Sequence, residues 1–191
     1  MAGKALAYRG RMIGFLLMLL GAWGAVVPFV GPHFGYAYTP DKMWAYTSGR
    51  LWLSVAPGAA AFLGGLFVLA SDKAAAWGAF LAVLGGVWFV IGQPVTAFAL
   101  ARRGISPGAP VASHGAMFAP ATMRFLEQLG FFYGLGVVIV FFAAVGLGEV
   151  VVARMAARRY SQQMALMAAD YDQTQDVIPG WDRPERYGPA Y

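Results

Sequence analysis

Four long apolar blocks, separated by polar or charged segments, set the architecture of this chain. The first runs from Met12 to Val30, 19 residues without a charge. At a rise of about 1.5 Å per residue it is long enough for a helix through a hydrocarbon core about 30 Å thick. Three further blocks cover residues 51–70, 74–100 and 129–152. The pattern predicts four spanning helices. Pro28 falls near the end of the first and Pro57 in the first turns of the second, where proline is tolerated. Ser71-Asp72-Lys73 is a tight connection, so the second and third helices are expected to be antiparallel neighbours. Residues 31–50 read as a polar-aromatic loop, and residues 101–128 as a long loop with Arg102-Arg103, three prolines and Ser113-His114. Ala22-Trp23-Gly24 offers a small-x-small cleavage signal, but the apolar run continues past it, which favours a retained first helix over a cleaved leader.

Beyond residue 152 the helical pattern continues with a different face. Tyr160, Met164, Met167 and Tyr171 recur at i, i+4, i+7 and i+11, a single apolar stripe beside Arg154, Arg158 and Arg159. Such a stripe packs on the protein's own helices, lies among lipid headgroups, or meets a partner subunit. Residues 177–191 hold three prolines and three aromatics. They cannot bury a core and read as an extended tail that either stays loose or docks through Trp181, Tyr187 and Tyr191. The chain thus divides into a transmembrane part, 1–152, and a helix with its tail, 153–191. Four spans place both termini on one side. Near the membrane that side holds seven basic residues (Lys4, Arg9, Arg11, Lys73, Arg154, Arg158, Arg159) against five on the other (Lys42, Arg50, Arg102, Arg103, Arg124). The bias points to cytoplasmic ends.

Composition agrees with this reading. Of 191 residues, 59% are hydrophobic and 12% charged, where soluble domains carry about 45–50% and about 25%. A soluble enzyme, a disordered chain and a nucleic-acid module are excluded. The net charge of +5 comes from residues flanking the apolar blocks, as anionic headgroups favour. Cysteine is absent, which removes disulfides, thiol redox chemistry and iron–sulfur ligation. Arginine outnumbers lysine 11 to 3, the bias of a high-GC, actinobacterial-like genome and hence of a bacterial cell membrane.

An internal echo links the first and third blocks. Leu20-Gly21-Ala22-Trp23 with Pro28 parallels Gly85-Gly86-Val87-Trp88 with Pro94, which reads either as coincidence or as two duplicated helical hairpins. The Gly-x-Trp…Pro hairpin, doubled into four helices, resembles the small uncharacterised bacterial membrane proteins with SPW-type repeats, over about half the chain. The Ser-Pro-Trp triplet itself is missing here. The resemblance implies four helices and supplies no catalytic residues.

Candidate chemistry is sparse. Gly130-x3-Gly134, Ala60/Gly64, Ala61/Gly65 and Ala82/Gly86 are small-residue pairs of the kind that let membrane helices approach closely. Ion and proton pathways need titratable groups within the spans; the first three blocks have none, and Glu149 near the end of the fourth lies close enough to Arg154 to be solvated or paired. Transport and bis-histidine haem are therefore disfavoured, and no cofactor is expected. His33 and His114, with Asp41, form a candidate metal set without characteristic spacing. Arg102 and Arg103, like Arg50, Arg124, Arg154, Arg158 and Arg159, suit lipid headgroups or simple interfacial anchoring. Tyr36, Tyr38, Trp44, Tyr46 and Trp52 crowd into 17 residues; they read as a loop lying on the bilayer or as a contact patch for another protein. The expectation is an all-α, four-helix membrane protein acting as a non-catalytic accessory or structural subunit, its partners being lipid, other membrane subunits or itself. The alternative is a small membrane enzyme, or a lipid-headgroup or metal-binding protein, using His33, Asp41, Arg102, Arg103 and His114.

Overall fold

The computed structural model describes residues 2–34, 36–38, 42–101, 110–112 and 120–176. They fall into two units, Met1–Val150 and Val151–Tyr191. Helix α1 (Ala2–Val30) ends in a 3-10 turn, Gly31–Phe34, followed by strand β1 (Tyr36–Tyr38). Helix α2 covers Ser48–Ala70 and contains a π-helical turn at Leu51–Val55. Helix α3 spans Asp72–Ala101, strand β2 Pro110–Ala112, and helix α4 Pro120–Gln128. A second π turn, Leu129–Gly134, joins α4 to α5 (Leu135–Asp176). Four helical stretches are long and apolar enough to cross a membrane: Gly10–His33, Ser48–Ala70, Lys73–Ala99 and Ala121–Tyr171.

Among the described residues the chain is helical apart from residues 42–47, Ser71 and one short ribbon that hydropathy did not announce. β1 pairs antiparallel with β2, Tyr36 opposite Ala112 and Tyr38 opposite Pro110. The expected loop 101–128 is corrected as well, because its last part is helix. Pro120 opens α4 at a position where its missing N–H costs nothing. The connection at residue 71 is tighter than expected: Ser71, in extended conformation (φ −164°, ψ 149°), closes α2. Its hydroxyl also accepts from the Ala74 N–H at 3.2 Å, capping α3.

Glycine places the helices of the first unit. A Cβ at Gly14 would strike the Gly65 carbonyl at 2.9 Å, and one at Gly21 the Gly58 carbonyl at 2.6 Å, so α1 and α2 run antiparallel with their backbones nearly touching. Gly64 meets Gly78 and Gly85 meets Pro57 in the same sense across α2 and α3. Gly86 lies against Gly136 of α5, and Gly24 of α1 against Phe89 and Leu135. The contacts close a ring of four helices around Leu17, Leu53, Ala61, Ala82, Phe89, Phe132 and Ile139. Gly64, Gly65 and Gly86 thus pack the protein's own helices. Gly130 and Gly134 differ from the expectation. Nothing lies within 4 Å of a Cβ on Gly130, and one on Gly134 meets only the Leu129 carbonyl of its own turn. Both sit in the π turn, and Gly136 makes the close approach instead.

In the second unit, residues 151–171 form helix with every residue exposed. Trp181, Tyr187, Tyr191 and the rest of the expected tail lie outside the described residues.

Candidate functional site: an aromatic platform braced by a buried arginine

The segment leading into α2 is built around Arg50. Thr47, extended (φ −128°, ψ 153°), caps the helix by accepting from the Arg50 N–H at 3.2 Å. This places Arg50 one turn in, where its side chain is wholly buried. A buried guanidinium must be met by acceptors. Nη1 donates to the carbonyls of Ala45 at 2.9 Å and Lys42 at 3.1 Å, and the guanidinium carbon lies 5.6 Å from the centre of the Phe29 ring. The side chain therefore ties the preceding segment to the end of α1. Sequence reading had Arg50 on lipid headgroups or at the interface. That expectation is corrected, since no part of it faces outward.

What Arg50 braces is a row of exposed aromatics. Trp44 has φ +54°, a left-handed conformation that a bulky side chain rarely adopts. Its N–H donates to the Phe29 carbonyl at 3.4 Å, and its ring stacks on Phe29 at 6.1 Å. Tyr46 meets the same Phe29 ring at 5.2 Å. Even so, Trp44 is 61% exposed, Tyr46 73% and Trp52 65%. The backbone under Trp52 is fixed too. Pro57 offers no N–H to the turn before it, and the Trp88 indole donates to the Trp52 carbonyl at 2.8 Å.

Tyr36 belongs to a second, buried cluster. Its hydroxyl donates to the Glu127 carbonyl at 2.9 Å, and its ring meets Phe131 edge-on at 6.1 Å. Burial first, and then the nearby Glu127 carboxylate, push the Tyr36 phenol well above its ordinary range. Tyr36 is thus a fastener between the ribbon and α4. Glu127 is buried, and beside it the Gln128 amide donates to the Gln93 side-chain oxygen at 3.0 Å. Both buried charges precede a π turn, Arg50 that at Leu51–Val55 and Glu127 that at Leu129–Gly134. The Ser54 hydroxyl, within the first of these turns, is buried without a hydrogen-bond partner among the described residues.

The other candidates separate. His33 is exposed in the turn after α1; His114, Asp41, Arg102 and Arg103 lie outside the described residues. Among the described residues no group of three His, Asp or Glu is placed to hold a metal ion. Arg124 is exposed, Tyr38 contributes backbone to β1, and Glu149 comes near Gly10 of α1. Arg154, Arg158, Arg159, Tyr160, Met164 and Met167 are all exposed in the second unit. Sequence reading missed Phe29 as the ring that organises the platform and Glu127 as a buried carboxylate. The cap Thr47, three residues before Arg50, was the one local signal that this arginine begins a helix. Chemically the site offers exposed aromatic faces on a fixed backbone. No protein family, curated protein or solved structure gives a significant match to the chain.

Proposed function

We propose that this is an integral membrane protein, a non-catalytic accessory or structural subunit of a larger membrane complex, which binds another membrane subunit through Trp44, Tyr46 and Trp52. The observation that carries the reading is Trp44, held in a left-handed backbone conformation by a segment that the buried Arg50 ties down. Residues of this kind concentrate at functional surfaces, because strain persists only where surrounding structure enforces it. Anchoring in the headgroup region needs only an aromatic side chain on any relaxed backbone. A rigid, strained presentation of tryptophan beside a second tryptophan and a tyrosine is the composition of an interface hot spot. Packing is consistent with a subunit role: Gly14, Gly21, Gly64 and Gly65 are used between the protein's own helices, while Trp44, Tyr46 and Trp52 stay exposed.

The excess of basic residues near one pair of helix ends supports cytoplasmic termini in a bacterial cell membrane. A chain without cysteine makes this directly readable. A cysteine introduced at Lys42 is expected to react with a membrane-impermeant maleimide on intact cells, and one at Lys73 only after lysis. The functional test is purification of the tagged full chain in mild detergent, followed by native mass measurement. A second membrane protein at fixed stoichiometry, lost in Trp44→Ala and Trp52→Ala while each variant stays folded, is the expected result. A chain that purifies alone, or a co-purifying protein indifferent to both substitutions, overturns the reading.

A further inference from the structure

Every residue from 151 to 171 in the helix of the second unit is exposed. Helices in water owe most of their stability to a packed face. The stripe on this one has a definite period. Tyr160, Met164, Met167 and Tyr171 are spaced 4, 3 and 4, and extending the same alternation backwards reaches Ala157 and Ala153. This is the a/d pattern of a heptad, with Met164 and Tyr171 at a and Tyr160 and Met167 at d. The repeat is 3.5 residues, the seam of a left-handed coiled coil, rather than the broader stripe of a helix lying on a globular core.

We infer that the helix pairs with the same helix of a second copy, as a parallel two-stranded coiled coil. Three features of the chain favour this occupant. Charge is the first. No seam position from 153 to 174 is charged. Arg158 and Arg159 fall at b and c, away from the seam, and the g-to-e′ pairs Ala156–Ser161, Gln163–Ala168 and Asp170–Gln175 set no like charges against each other. Area is the second. The four large seam side chains are 65%, 52%, 68% and 68% exposed. At about 200 Å² for a side chain of this size they offer roughly 500 Å² per helix, or about 1,000 Å² for a pair, the threshold for a specific interface. Continuity is the third. No glycine or proline follows Gly148 before Asp176, and these are the residues at which helices bend. A flat headgroup-bound helix wants such a bend. The parallel sense rests on the membrane reading above, since copies in one membrane share an orientation; the aromatic platform plays no part.

The test uses the full chain in nanodiscs, with single cysteines placed by Tyr160→Cys, Gln162→Cys, Met164→Cys, Ala165→Cys, Met167→Cys and Ala169→Cys. All six positions are exposed, so the fold survives each change, as helical circular dichroism will show. Oxidation is expected to give disulfide dimers at 160, 164 and 167, at least fivefold more than at 162, 165 and 169. Equal cross-linking at all six positions, or none at any, overturns the proposal. So does a cross-linked product of any mass other than two chains, which would assign the face to a different protein. Native mass separates this inference from the proposed function. Met164→Glu is expected to convert a two-copy species to one copy while the partner bound through Trp44 is retained. Trp44→Ala is expected to do the reverse.

Discussion

Substitution of Gly21 by alanine tests the packing logic at its tightest point. A Cβ there would lie 2.4 Å from the Phe62 nitrogen, 2.6 Å from the Gly58 carbonyl oxygen and 2.9 Å from the Phe62 Cα. All three are backbone atoms, so no rotamer change relieves the contact. Carbon contacts are comfortable from about 3.5 Å; α1 and α2 must therefore part by about 1 Å at this crossing. A gap of that size forfeits up to about half the dispersion energy of the atoms on either side, and overpacking of this kind costs about 1–3 kcal/mol. Alanine returns about 1 kcal/mol of helix propensity. The net expectation is a loss of about 0–2 kcal/mol, centred near 1, by the same accounting. Gly148→Ala supplies the opposite sign, since nothing lies within 4 Å of its Cβ and only the propensity gain of about 1 kcal/mol remains. Gly58→Ala strikes the same crossing from the other side, at 2.6 Å from the Ala25 nitrogen. Once the helices have separated for one methyl, the second costs less, so the double variant should lose less than the two single losses combined. The assay is reversible unfolding in mixed micelles, followed by far-ultraviolet circular dichroism. A Gly21→Ala protein stabilised as much as Gly148→Ala, or a strictly additive double variant, would refute the argument that backbone contact sets this interface.

Three further outcomes follow from the site. Arg50→Met removes the donors to Lys42 and Ala45, bonds from a charged group that are worth about 1.5–3 kcal/mol apiece. The variant should unfold earlier, and limited proteolysis should cut between residues 42 and 47, which it spares in wild type. Trp44→Asn relieves left-handed strain worth about 1–3 kcal/mol and gives up stacking worth about 0.5–1.5 kcal/mol. Its stability should stay level or rise slightly by chemical denaturation, while the co-purifying partner is lost. Tyr36 has a phenol pKa raised above the ordinary 10.0 by burial and then by Glu127. The folded state therefore holds this proton more tightly than the unfolded chain, and the resulting stability is complete below pH 10 and lost as pH rises through the folded value. Titration at 295 nm should show that Tyr36→Phe removes no ionisation below pH 10 from the folded protein, and that it removes part of the alkaline loss of stability.

The helices were legible because each keeps an apolar composition over about twenty residues at a time, enough to cross a membrane. Their ends were not, because a helix stops at caps rather than where hydropathy falls. Thr47 caps α2 four residues before the apolar block at 51, and Pro120 opens the last helical stretch nine residues before the block at 129. Close packing was half legible. The same small-residue spacing marks Gly64 and Gly65, which touch neighbouring helices, and Gly130 and Gly134, which do not; the latter pair lies in a π turn, and no residue pattern announces one. The site was least legible of all. Trp44, Tyr46 and Trp52 stand out in the sequence as an excess of aromatics, but what makes them a platform is Arg50, whose letter reads as a membrane-edge charge. Its burial depends on two backbone carbonyls and the Phe29 ring converging from separate segments. Side-chain identity carries no trace of where main-chain acceptors will point. A basic residue at the head of an apolar helix is therefore ambiguous between anchor and brace. Here a capping threonine one turn upstream and a phenylalanine at the end of the preceding helix tip it to brace.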